Sequence, residues 1–150
     1  MVPSDARLVD INDRQAVQFL HGADIGVSGI GTTRAVAFAQ AAAAFAASVV
    51  DLDIVTPTNA VRITCTAPDD WLLLCDWLHA VIYEMTVHRM VFARFEVSLQ
   101  GQRLEARARG EAIDPARHAP AVEPRGATMT GLTVEQARDG SWVAECIVDV

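Results

Sequence analysis

The apolar positions along the chain change period several times, and each change marks an element. Ala16–Leu20 reads as a short strand, and Ile25–Ile30 as a second one, weakened by its glycines. From Phe38 the period becomes helical: Phe38, Ala42, Phe45 and Val49 share one face, behind Thr32 or Thr33 as N-cap, in a helix ending near Val50. Alanines fill its other faces and allow close packing on a sheet. Asp51–Asn59 contains Pro57 and reads as a loop, and Val61–Thr66 alternates as a strand. Pro68-Asp69-Asp70 opens a second helix, because aspartates cap the orphan amides and suit the positive end of the helix dipole. Trp71, Leu74, Cys75, Leu78, Val81, Ile82 and Met85 form its stripe. Leu72, Leu73 and Trp77 widen that stripe, so this helix is expected to be mostly buried.

The period then returns to two. Val91, Ala93, Phe95, Val97 and Leu99 alternate with more polar residues up to Gln100-Gly101, and Leu104, Ala106 and Ala108 continue on a return strand. A turn at 100–101 pairs 97 with 104, 95 with 106 and 93 with 108, with every apolar partner on one face. The other face carries Arg94, Glu96, Arg103, Glu105, Arg107 and Arg109. It reads as a solvated face with diagonal ion pairs, or as a docking surface for a partner or RNA. Asp114–His118 reads as a turn. Arg125–Ala137 and Ser141–Asp149 form a last strand pair joined at Asp139-Gly140. The expected fold is α+β, one domain in the order β-β-α-β-α-β-β-β-β, with mostly antiparallel sheet packed against two helices. Residues 1–14 are polar and read as a flexible tail before a domain spanning 15–150.

Composition narrows the function. The 150 residues include 19 acidic and 12 basic side chains, a net charge of −7. Sequence-independent nucleic-acid binding relies on neutralising many phosphates, so an acidic chain is a poor candidate for it. All the basic residues are arginine, which stays charged and forms rigid forks. Cys65, Cys75 and Cys146 are odd in number, lack Cys-x-x-Cys spacing and sit in apolar runs, as reduced thiols of a cytoplasmic protein do. No secretory signal or membrane span is expected; the longest apolar stretch, 35–50, is shorter than the roughly 20 residues a bilayer requires.

Read for chemistry alone, the chain is nearly silent. Gly26, Gly29 and Gly31 lack the spacing of a dinucleotide site, and a Walker motif is excluded without lysine. His21, His79, His88 and His118 have no helical metal spacing, and no serine lies in a nucleophile elbow. Taken alone, Asp24 is a turn residue making an Asx hydrogen bond, and Asp149 an exposed strand end.

Several segments together resemble the archease family. His21-Gly22-Ala23-Asp24-Ile25-Gly26 is similar to its His-Thr-Ala-Asp-Ile-Gly segment. Val91–Val97 resembles its Phe-Ser-Arg-Phe-Glu-Val strand, and Leu73–Leu78 its second helix. Gly110–His118 resembles its Gly-Glu-x-x-Asp-x-x-Arg-His segment, and Asp139–Trp142 with Ile147–Val150 its closing hairpin. The likeness spans nearly the whole chain and keeps the family's order.

The resemblance implies an accessory protein, not an enzyme. Its partner would be the tRNA-splicing type RNA ligase, which joins a 3′-phosphate or 2′,3′-cyclic phosphate end to a 5′-hydroxyl end. That ligase forms a guanylate on a histidine using GTP and manganese, and the family promotes this step and multiple turnover; RNA would be met only indirectly. The implied metal ligands are Asp24, Asp149 and the terminal carboxylate of Val150. This hard oxygen set suits calcium first, then magnesium or manganese. His21 would support the site, and Arg125 would contact phosphates or a ligase carboxylate. Two departures stand out. Gly22 replaces the family's threonine and loses a hydroxyl beside the aspartate. Arg125, in Glu123-Pro124-Arg125-Gly126, replaces an important lysine; it keeps the charge but excludes a tunable amine. The alternative is a chaperone-like or scaffolding module with a structural metal. A metal hydrolase is disfavoured, since no general base or nucleophile stands out beside the carboxylates.

Overall fold

The computed structural model describes residues 8–9, 16–21, 24–122, 125–127 and 131–149; side-chain statements below exclude 8–24 and Ala127. The elements are β1 (Leu8–Val9), β2 (Ala16–His21), β3 (Asp24–Gly31), α1 (Arg34–Val49), β4 (Asn59–Thr66), α2 (Asp70–Thr86), β5 (Met90–Gln100), β6 (Arg103–Ala112), α3 (Pro115–His118), β7 (Gly126–Ala127), β8 (Thr133–Gln136) and β9 (Trp142–Asp149). The class is α+β with antiparallel pairing throughout, as expected. Sheet A has the strand order β1-β5-β6-β4. Sheet B runs β2-β3-β9-β7, with β8 also paired to β9.

The alanine-rich α1 lies between the two sheets. Thr33 caps it, its Oγ1 accepting from the Val36 amide at 3.2 Å. Every residue from Ala35 to Ala46 is buried, which explains a run of small side chains with no polar face. On sheet B the approach is close enough to require glycine: a Cβ on Gly29 would stand 2.2 Å from the Ala37 carbonyl oxygen and 2.4 Å from the Ala41 nitrogen. On sheet A, Phe92 and Phe95 fill the core with Trp77 of α2. The Trp77 indole meets Phe95 edge-on at 5.9 Å and donates to the Phe38 carbonyl at 3.0 Å. Asp69 caps α2 through the Leu72 amide at 2.8 Å, and Arg34 pairs with Asp70 at 2.5 Å, tying the two helix starts together. No helix among the described residues is long and apolar enough to cross a membrane.

Six expectations are corrected. The stretch read as a tail contributes β1, paired with the edge of β5 at Leu8↔Glu96. The enclosed helix is α1, whereas α2 keeps an open side on which Trp71 and Tyr83 are about half exposed. The expected 51–59 loop holds a 3-10 turn at Leu52–Ile54, and 115–118 is one helical turn. The β5–β6 loop is Gly101–Gln102, so Val97 faces Ala106 and Phe95 faces Ala108, with a bulge between Phe92 and Arg94. Gly101 has φ +57°, a conformation that glycine adopts at little cost. Finally, the strand expected over 125–137 is two short pieces. β7 ends at Ala127↔Val148 and β8 begins at Thr133↔Glu145.

Candidate functional site

Sheet B brings the two ends of the chain together. Along β3 and β9 the register runs from Gly31↔Trp142 to Ile25↔Val148, the pair next to Asp24 and Asp149 in the chain. On the far side of β3, His21 pairs with Asp24; on the far side of β9, Gly126 pairs with Asp149. The Arg125 amide donates to the Asp149 carbonyl at 2.8 Å. The backbone positions of His21, Asp24, Asp149 and Gly126 therefore gather at one end of four neighbouring strands, with Arg125 beside them. Opposed Cα atoms in such a ladder are about 4.5–5.5 Å apart.

Alternation assigns the faces. Val27, Ala144, Cys146 and Val148 are buried toward α1. Ser28, Glu145, Ile147 and Asp149 take the outward positions, and Ser28 Oγ donates to Glu145 Oε1 at 3.2 Å. Glu135 of β8, opposite Val143, joins this outward set, so the face around Asp149 is acidic. Asp149 is half-buried and Arg125 is exposed. The guanidinium of Arg125 has no ion pair among the described residues.

The expected ligand set is thus only partly visible. The side chains of His21 and Asp24, and all of Gly22, Glu123, Pro124 and Val150, lie outside the described residues. Among the described residues no group of three His, Cys, Asp or Glu side chains stands close enough to hold a metal ion. Asp149 supplies a hard oxygen donor at a strand end, which fits the expected donor set. The sequence reading did not single out His79, an exposed α2 residue. A Cβ on Gly126 would stand 3.3 Å from its Nε2, next to Arg125 in the chain. Helical periodicity places His79 on the open side of α2 and carries no signal for what faces it.

Two other clusters matter for chemistry. Glu111 is held by Arg117 at 2.5 Å, by the Thr56 amide at 2.7 Å and by His118 Nε2 at 3.1 Å. The Arg117 hydrogen bond leads in pulling its carboxyl down to about 2, followed by the Thr56 amide. His118 is buried, and its Nδ1 accepts from the Asp114 amide at 2.8 Å, so the ring proton belongs on Nε2, facing Glu111. Both ring nitrogens are committed to structure, leaving none for a metal. The thiols are poor nucleophiles: burial, then the nearby Asp76 carboxylate, pushes Cys65 up to about 11, and the same causes raise Cys75.

Comparison with known proteins agrees with this architecture. The model of the archease protein family matches residues 18–150. A protein archease of Pyrococcus abyssi is 30% identical over 134 residues, 87% of this chain and 94% of the relative. One from Methanopyrus kandleri is 36% identical over 115 residues, 74% and 81% of the two chains. The solution structure of Methanobacterium thermoautotrophicum protein 1598 superposes with a TM-score of 0.78 at 24% identity, covering 91% of this chain and 99% of that one, and so shares the fold. The sequence segments, the fold and the extent of these matches agree, and the chain belongs to the archease family.

Proposed function

We propose that this chain is an accessory protein that activates a 3′-phosphate/5′-hydroxyl RNA ligase. It would do so by promoting the ligase's guanylylation and multiple turnover through a carboxylate metal site. The observation that supports the proposal is the register of sheet B, whose last pair, Ile25↔Val148, adjoins Asp24 and Asp149 at one end of adjacent strands, in a chain of this family. Like carboxylates brought that close repel unless a cation or an arginine offsets them. In this reading Asp24, Asp149 and the Val150 carboxylate take a hard divalent cation, calcium first and magnesium or manganese otherwise. The cation supplies charge neutralisation and oxygen coordination. Arg125 contacts an anionic group of the ligase or its nucleotide, and His21 supports the row from β2. The acidic surround of Asp149 suits a basic mouth on a ligase that holds RNA and GTP. The setting is the cytoplasm, and the chain alone performs no catalysis.

Ligations per ligase molecule decide the matter, measured with the ligase of the same organism, GTP, manganese and a 3′-phosphate RNA. The expected result is many turnovers with the wild-type chain and about one with Asp24→Asn. Absence of stimulation by a folded wild-type chain would overturn the activator reading in favour of a chaperone-like or scaffolding module. Retained stimulation by Asp24→Asn would overturn the metal site.

A further inference from the structure

The outer face of sheet A has no helix over it, and its charge runs against that of the whole chain. Register with β4 adds Arg62 to the hairpin's Arg94, Arg103, Arg107 and Arg109. Glu96, Glu105 and, at the end of β6, Glu111 are the carboxylates among the described residues of that face. Five guanidinium groups against three carboxylates leave it with two net positive charges, on a protein whose net charge is −7. Glu96 stands opposite Arg107 across β5 and β6, but the other facing pairs do not match charge. Arg94 faces Arg109 across β5 and β6, and Arg62 faces Arg107 across β4 and β6. Like charges directly opposite one another destabilise a sheet, so ion pairing within the face does not account for this pattern. Glu96 pairs diagonally with Arg109 at 2.5 Å, and Glu105 with Arg103 at 2.9 Å and Arg62 at 3.6 Å. That leaves Arg94 and Arg107 outside these ion pairs among the described residues, Arg107 standing opposite Glu96. Arg62 and Arg107 border a shallow dish of about 270 Å³ that also holds Ser98, Glu96 and Glu105.

We propose that this face docks the phosphate backbone of RNA. Rigid guanidinium forks on neighbouring strands, with the hydroxyl of Ser98 among them, are the groups that hold phosphates without reading bases. A protein partner fits less well. Stable protein interfaces need a desolvated aromatic or aliphatic centre, and the exposed large apolar side chains Ile54, Trp71, Tyr83 and Val87 all lie off sheet A. The −7 total that argued against nucleic acid is an average over a polarised molecule, with an acidic outer face on sheet B and a basic one on sheet A. The choice of RNA among polyanions rests on the proposed function; the charge pattern does not depend on it.

The experiment uses the full chain without ligase, so its outcome is separate from that of the turnover assay. Fluorescence anisotropy of a labelled single-stranded RNA is followed against salt for the wild type, for Arg94→Glu with Arg107→Glu, and for Arg138→Glu at the β8–β9 turn. Wild type and Arg138→Glu should bind at low salt with log K against log salt falling at a slope of about −2, as expected for roughly three phosphate contacts. The double reversal should weaken binding at least 10-fold and flatten that slope while keeping the wild type's circular dichroism, although Arg107→Glu sets a carboxylate opposite Glu96 and should lower the melting midpoint slightly. Equal loss in Arg138→Glu, no binding by the wild type, or preference for polyglutamate over RNA would each overturn the proposal.

Discussion

Glu111 and His118 show how a few side chains fix a segment that has almost no regular structure. Arg117, the Thr56 amide and His118 converge on one carboxylate, tying the 51–58 connection to α3. The carboxyl is held at about 2, below the ordinary value of about 4.3 for an unfolded glutamate. A depressed folded-state value means that this stabilisation is fully present above about pH 4.3 and disappears as pH falls toward 2. Glu111→Gln should therefore lower the melting midpoint at pH 6 and bring its curve toward the wild type's below pH 3. Parallel curves over that whole range would show that the carboxylate is not what the network stabilises. At this scale the sequence was readable where chemistry is local: Thr33 and Asp69 cap the helices as their residue types indicate. It was unreadable where partners are distant in the chain, as for Thr56 with Glu111, or His79 beside Gly126.

Elements were legible in type more often than in placement. The β5–β6 hairpin was expected with its turn at 100–101, two residues out of register. A shift of two keeps every apolar residue on the same face, so alternation alone cannot choose between the two pairings. The choice falls to Gly101, which takes the positive φ at the first loop position. The strand expected at 125–137 is divided into β7, paired at Ala127↔Val148, and β8, which begins at Thr133↔Glu145. Helix α1 presents the opposite case, a plain alanine-rich signal whose consequence is tertiary. Its contact with β3 leaves no space at Gly29, where an added Cβ meets backbone atoms that cannot rotate away. Gly29→Ala should cost about 3 kcal/mol, a fall in the melting midpoint of roughly 6–12 °C. A midpoint within 2 °C of wild type would mean that α1 and β3 separate more easily than their packing implies.

At the scale of the whole molecule, two sheets around one enclosed helix give the chain opposite faces with opposite charge. The same arrangement places residues 24 and 149 on adjacent strands. The sequence alone could pair these positions only through family resemblance, because no periodicity relates segments 125 residues apart. Sheet B supplies the physical reason, since β9 returns along β3 and ends where β3 begins. In the proposed site, a cation shared between those strand ends would bind the folded state and not the unfolded chain, in which the two aspartates are far apart on average. Linkage then makes metal binding a stability effect: at a free concentration 100 times Kd, a single site stabilises by about 2.7 kcal/mol. Calcium titrated into the chelator-treated protein should raise the wild-type melting midpoint until the site saturates, and a chelator should reverse the rise. Asp149→Asn should melt independently of calcium while keeping the wild type's metal-free circular dichroism, because Asp149 is half-buried at a strand end rather than in the core. The same calcium response in wild type and Asp149→Asn would place the cation elsewhere. No response in either would overturn the metal site and leave Asp149 to be matched by Arg125 or by a cationic group of the ligase.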